Sequence, residues 1–331
     1  MSPALSPSSL AERFRAARSR REPLLADVRT TAFRWLNGAP DGVPDVTVDS
    51  FAGLLVMGLY RDFSAAEEQA LIDAAQEVWA PRGLYLKRRP REARVLANTA
   101  KEVLAPEVPS LGPPIESLEA LENGLRFLIR PAQGLSVGLY LDMRETRAWL
   151  LGQVRGLTVL NLFAYTCAFG VVATAGGAQR VLNLDSSRRV LDWGEENARL
   201  NGQPVDRYDY VAGDCFEWLG RLAKKGETFD VVIADPPSFS TTRRTRFSAG
   251  KDYPRLAEAA ARVVAPGGRL VACCNLATLT ARRFEAMVSE GLARAGRQAA
   301  RPGRALGPSP VDFPASPEEP PGLKVYVVPL R

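Results

Sequence analysis

The chain has no histidine in its 331 residues. Ser-His and Cys-His nucleophile pairs are therefore excluded, and so are His-ligated metal sites. Proton transfer falls to a carboxylate, Lys, Tyr, Cys or water. Cysteine is scarce too. The four present, Cys167, Cys215, Cys273 and Cys274, show no metal-ligand spacing, so no metal is expected and reduced thiols in a cytoplasmic protein are. No apolar run reaches transmembrane length, so no membrane is expected as a partner. The opening MSPALSPSSLAERFRAARSRR lacks the apolar stretch of a secretory signal. In it, Ser9 and Glu12 read as a capping box starting a short helix. There are no internal repeats.

What is present is an ordinary globular composition, 46% hydrophobic and 24% charged, long enough for two domains. Net charge is +6, which permits a polyanionic partner. The basic residues cluster as Arg13/Arg15/Arg18/Arg20/Arg21, Lys87/Arg88/Arg89/Arg91/Arg94 and Arg243/Arg244/Arg246. Each cluster reads equally well as a solvated face.

Three regions are expected. Residues 1–27 form a helical arm, with Leu10, Phe14 and Ala17 on one face. Residues 28–135 form an α+β domain that binds substrate or RNA. Its strands fall at Val46–Val48, Leu54–Leu59 and Tyr85–Lys87, its helix at Ser64–Trp79, and a hairpin turns at Asn123–Gly124. From residue 136 to 331, strand and helix alternate, which predicts a doubly wound, Rossmann-like parallel sheet. Its strands start near Thr158, Val181, Tyr208, Phe229 and Arg269, and Leu323–Leu330 suits an added strand.

In such a sheet, ligands bind beyond the carboxyl ends of the strands. Thr158–Asp185 organises the site. A strand leads into the small-residue loop Ala164–Gly170, and a second strand ends on Asp185, whose carboxylate can accept from a ribose diol. The loop is poor in glycine, and a β-α-β unit without ligand is the alternative. The later strands deliver Gly213–Asp214–Cys215, then Asp235–Pro236–Pro237–Ser238–Phe239, then Cys273–Cys274–Asn275. Asp185 and Asp214 each also fit as helix N-caps. The double proline removes two backbone donors and stiffens the loop, so Asp235 and nearby carbonyls grip one edge of a planar base. A rigid turn is the alternative.

The order NLFAYTCAFG, NLD, GDC, DPPSFS and GG-x-L-x-x-CCN, with GVPDVTVDSFAGLLV and GLYLDMRETR upstream and GLKVY at the close, resembles the class I S-adenosylmethionine-dependent 23S rRNA base methyltransferases of the cytosine-C5 and guanine-N7 type. The resemblance spans residues 30 to the end. It implies a methyltransferase sheet preceded by a smaller α+β domain, S-adenosylmethionine as cofactor, and rRNA as partner. A homodimer is compatible with it, and the chain is too short at its start for the N-terminal PUA domain such proteins often carry.

Roles follow at matching positions. Asp185 would hold the cofactor ribose, with Ser186 in the cofactor-binding set. Asp214 would contact the adenine amine, with Cys215 beside the ring. Ala164, Thr166 and Phe169 would line the methionine end, and Tyr140, Asp142 and Arg144 would close over the cofactor. Asp235 would border cofactor and base, while Pro236, Pro237, Ser238 and Phe239 position the base. Arg243, Arg244 and Asn275 complete the substrate set, with Phe239 and Phe247 as stacking candidates. Where the family carries Gly after Tyr-Thr, this chain has Cys167–Ala168.

Two chemistries fit. Cytosine C5 is not nucleophilic until a thiolate adds to C6, and Cys274 matches that position, with Asp235 or its water taking the C5 proton. Guanine N7 needs only orientation; Ser238 and Asn275 lean that way. Cys274 favours cytosine C5. Two small buried strand residues are the alternative for Cys273 and Cys274. A small-molecule methyltransferase and a non-catalytic RNA-binding protein of the same fold remain open.

Overall fold

A computed structural model describes residues 7–90, 99–241, 246–316 and 321–331. The chain divides into two compact units, Met1–Leu141 with Ser309–Pro320, and Asp142–Pro308 with Pro321–Arg331. The division thus falls at 141/142 rather than 135/136. Residues 309–316 belong with the first unit, where Arg21 and the backbone N–H of Arg34 bond Asp312.

The first unit is built on a sheet of β1 (Ala32–Asn37), β2 (Val46–Phe51), β3 (Leu54–Leu59) and β4 (Gly83–Arg88), in that order. The first three are an antiparallel meander, and β4 runs parallel to β3. Helix α1 spans Pro7–Arg20 and helix α2 spans Ala65–Trp79. Ser64 and Glu67 form a reciprocal capping box that starts α2. Ser9, expected to cap the helix with Glu12, lies inside it instead: the helix begins at Pro7, a residue suited to a first turn. Nor is the arm separate. Leu10, Phe14 and Ala17 are buried, and Phe14 stacks on Trp79 at 4.6 Å.

The arginines of the first basic cluster fasten the arm. Arg15 pairs Glu77, Arg18 donates to the Val78 carbonyl, and Arg20 and Arg21 converge on the buried Asp41. In the second cluster Lys87 is buried and Arg88 pairs Glu68 at 2.6 Å. A hairpin of β5 (Leu118–Glu122) and β6 (Leu125–Ile129) turns at Asn123 (φ 51°) and Gly124 (φ 86°), as Asn-Gly predicts.

The second unit holds β7 (Thr158–Leu162), β8 (Arg180–Asp185), β9 (Tyr210–Ala212), β10 (Phe229–Ala234), β11 (Phe239–Thr241), β12 (Arg246–Ser248), β13 (Val264–Cys274), β14 (Arg304–Leu306) and β15 (Lys324–Pro329). Seven of these make a sheet in the order β14-β15-β13-β10-β7-β8-β9. From β13 to β9 neighbours are parallel, whereas β15 and β14 are antiparallel, so the sheet is mixed. Helices α3 (Arg144–Leu151), α4 (Ala168–Ala175), α5 (Arg188–Leu200), α6 (Cys215–Lys225), α7 (Ala249–Ala261) and α8 (Ala281–Arg294) complete it. Strand order reverses at β7: the chain proceeds outward to β8 and β9, then returns to β10 on the other side. The carboxyl ends of β7 and β10 therefore flank the crevice where loops diverge. Among the described residues, no helix is long and apolar enough to cross a membrane.

Candidate active site

The loop after β7 solves its shortage of glycine by strain. Phe163, Tyr165 and Cys167 all take left-handed backbone, at φ 57°, 49° and 57°. For non-glycine residues each such position costs on the order of 1–2 kcal/mol; strain of this kind concentrates at functional sites. It is held in place from β8: Asp185 accepts the Tyr165 N–H at 3.0 Å through one oxygen and the Ser187 N–H at 2.9 Å through the other. Asp185 is thus both a loop anchor and a carboxylate with further lone pairs to offer.

The side chain that replaces glycine, Cys167, has no exposed surface and packs with Ala164, Leu191 and Tyr210. Its room comes from Gly194 on α5, where a Cβ would meet the Cys167 Sγ at 2.3 Å. Burial, with Asp185 and Glu195 nearby, pushes this thiol well above its ordinary value. Thr166 and Phe169 are likewise buried, and Ser186 is exposed.

Beyond β9, Asp214 caps α6, accepting from the N–H groups of Phe216 (2.9 Å) and Glu217 (3.2 Å). The N-cap alternative is therefore part of its role. Cys215 is buried beneath the end of β7, where the Phe163 N–H reaches its sulfur, and burial drives the thiol up.

Asp235, at the end of β10, is a strongly perturbed carboxyl. Burial, reinforced by Asp142, lifts it from 3.8 to about 7, against a counter-pull from Arg147. Asp142, Arg147 and Asp235 therefore share one locality. Arg147 is 2% exposed and sits 5.8 Å from the Phe169 ring centroid, linking α3 to α4. Arg144 is also buried, with Glu145 at 3.6 Å. Tyr140 belongs to the first unit, where its hydroxyl bonds Ser136 at 2.7 Å.

On the neighbouring β13, Cys273 and Cys274 have no exposed surface. Burial, then Asp235, Cys274 and Asp142, raise Cys273 well above the usual thiol value. Cys274 is raised by burial and by Asp235, while the Leu276 N–H and Lys324 pull it back. The Tyr253 hydroxyl ties the two strand ends together, reaching the carbonyls of Ala234 (3.1 Å) and Cys273 (2.8 Å), each one residue before Asp235 and Cys274.

Ser238 donates to the Asn275 carbonyl at 3.5 Å, which brings the double-proline loop to the end of β13. Pro236 is buried, while Pro237 is exposed. Phe239 is 69% exposed on β11. Phe247, read as a stacking candidate, is instead core: it is 3% exposed, with the Phe163 and Phe216 rings 6.4 and 6.1 Å away. Arg243 and Arg244 lie outside the described residues.

Arg147, Tyr253 and Lys324 are the additions that sequence reading did not single out. Arg147 and Lys324 sit inside GLYLDMRETR and GLKVY, whereas Tyr253 carries no local signal. Among the described residues, no group of three or more His, Cys, Asp or Glu side chains could hold a metal ion.

Comparison with known proteins bears on this geometry. Residues 34–295 match the S-adenosylmethionine-dependent methyltransferase family model. The chain is similar to a ribosomal RNA large subunit methyltransferase of Deinococcus radiodurans, 34% identical over 299 residues, covering 87% of this chain and 71% of that protein. It is 30% identical over 289 residues to ribosomal RNA large subunit methyltransferase I of Aeromonas salmonicida, covering 87% and 72%. The solved structure of SMU.776, a putative methyltransferase complexed with SAH, matches with a TM-score of 0.87 at 25% identity, covering 99% of this chain and 83% of that one.

Proposed function

Since the chain belongs to the S-adenosylmethionine-dependent methyltransferase family of large-subunit rRNA enzymes, we propose that it methylates C5 of a cytosine in large-subunit rRNA, with Cys274 as nucleophile and Asp235 as proton acceptor. The observation that carries this reading is the pairing of those two groups. A carboxyl that titrates at about 7 and a thiol leave adjacent parallel strands, with a single tyrosine bracing both ends. Guanine N7 has no proton to lose and no need of either group.

The residues present fit the cofactor. Asp185 keeps acceptor capacity beside a strained loop of small residues, which suits a ribose diol approaching the backbone. Asp185 and Ser186 would take the ribose, Asp214 and Cys215 the adenine, and Ala164, Thr166, Phe169, Asp142 and Arg144 the methionine end. Bound there, the cofactor supplies a methyl group on a sulfonium.

The chain's own groups do the rest. The Cys274 sulfur adds to C6, and the C5=C6 electron pair makes C5 nucleophilic. After methylation Asp235 accepts the C5 proton, and the sulfur leaves as the double bond reforms. Pro236, Pro237, Ser238, Phe239 and Asn275 would hold the base, splayed from its strand. Arg243 and Arg244 would meet phosphate. Cys274 is covered, so the base reaches it only as side chains at the mouth of the site give way.

Mass mapping of nucleosides after incubation with unmodified rRNA tests the proposal. 5-Methylcytidine is expected, with loss of at least about a hundredfold in Cys274→Ser, the scale of a removed catalytic group. Methylguanosine, or full cytosine activity in Cys274→Ser, would overturn it.

A further inference from the structure

We infer that Lys324 is a positioning residue for Cys274: its ammonium sets how readily that thiol ionises. The inference rests on Cys274 as the nucleophile for its use in catalysis, though not for the ionisation itself.

The geometry comes from the strand added at the edge of the parallel sheet. Antiparallel pairing of β13 with β15 sets Cys274 directly opposite Lys324. Residues so paired point to the same face of the sheet, their Cβ atoms about 5 Å apart. Both are covered, Cys274 fully and Lys324 to 9% exposure. Leu276 serves both: its N–H reaches the Cys274 sulfur, and its carbonyl accepts from Lys324 Nζ at 2.7 Å. The preceding turn is fitted to the same spot, since a Cβ at Gly322 would lie 2.9 Å from Asn275 Oδ1. Burial lowers the Lys324 ammonium from its usual value, and Cys274 draws it back up.

A covered thiol resists ionising, because its thiolate loses solvation. A cation held across one strand pair counters this wherever the thiolate forms. The other groups facing the thiol are Asp235 from β10, Cys273 on its own strand and the Tyr253 hydroxyl from α7. None of these is a cation, and Asp235 opposes the thiolate once ionised. In the reaction the thiol proton leaves to water, and the sulfur bonds C6. When that bond breaks, the electron pair returns to a sulfur that again sits beside Lys324.

The protein, labelled with 13C at its cysteine β-carbons, is titrated by NMR without cofactor, with the Cys274 signal identified by its loss in Cys274→Ser. Lys324→Gln keeps a donor toward Leu276 but removes the charge, and should move the Cys274 midpoint up by about one pH unit, tenfold less thiolate at fixed pH. Lys324→Arg should restore it. Cytosine transfer by Lys324→Gln should fall about tenfold at pH 7 and recover as pH rises, with KM for RNA unchanged, which a merely structural loss would not do. If Lys324→Gln does not fold, Lys324→Met carries the same test. A Cys274 midpoint that stays put in a folded neutral variant overturns the inference. Full cytosine activity in Cys274→Ser would instead remove the nucleophile reading while leaving the measured shift intact.

Discussion

Asp235 is a residue whose surroundings work against its charge. Its folded value of about 7 lies above the 3.8 of an unperturbed aspartate, so the folded state favours the protonated form. Its contribution to stability is therefore intact below about 4 and is lost progressively as pH rises through 7. Asp235→Asn carries no such penalty. Its melting temperature should exceed that of the unaltered protein by a few degrees at pH 8 and match it at pH 4; equal melting at both would contradict the burial account. Activity should move oppositely. Cytosine transfer should rise with pH through about 7, and the asparagine variant should lose at least about a hundredfold at every pH. Asp235 was legible because it follows an apolar strand and precedes two prolines. Arg147 and Lys324 were not, because their meaning lies in what they face from other elements.

Among the elements, the loop after β7 and helix α5 fit as a pair. Cys167 occupies a left-handed position that favours glycine, and Gly194 leaves space for its sulfur. Gly194→Ala would drive a methyl group against Cys167 Sγ and Cβ, at 2.3 and 2.7 Å, costing about 1–3 kcal/mol as overpacking does. Adding Cys167→Gly should recover most of that, since it removes the clash and relieves the left-handed strain. Urea melts of the two single variants and the double variant measure the coupling; simple additivity would refute the pairing.

The longer elements were readable from local pattern: β3 matched an unbroken apolar run, and α2 the helix expected over Ser64–Trp79. The three-residue strands β11, β12 and β14 were not. Segments so short carry no alternation, and β14 is a strand only because β15 pairs with it.

For the whole molecule, the basic clusters illustrate how composition misleads. A net charge of +6 invites a polyanion, yet most arginines of the first basic cluster are committed inside the first unit. Arg21 is fully buried against Asp41 and the Asp312 carbonyl. Arg21→Met should leave a buried carboxylate with only the half-exposed Arg20 for charge compensation. It should cost about 3 kcal/mol or more, read from Trp35 and Trp79 fluorescence in a denaturant melt. Arg15→Ala, an exposed pair with Glu77, should cost less than about 1 kcal/mol. Similar losses for both would argue against a central role for the Arg21–Asp41 pair.

Sequence alone determined the alternation of strand and helix, the carboxylates at strand ends and the double-proline loop, since each is written in a few adjacent residues whose local chemistry points one way. It also excluded histidine chemistry outright. Only the tertiary structure decided which aspartate titrates near neutrality, that Phe247 is core, that Cys167 turns under α5, and that Lys324 stands across from Cys274. Desolvation and cross-strand register are properties of neighbours brought together by folding, and no short stretch of chain contains them.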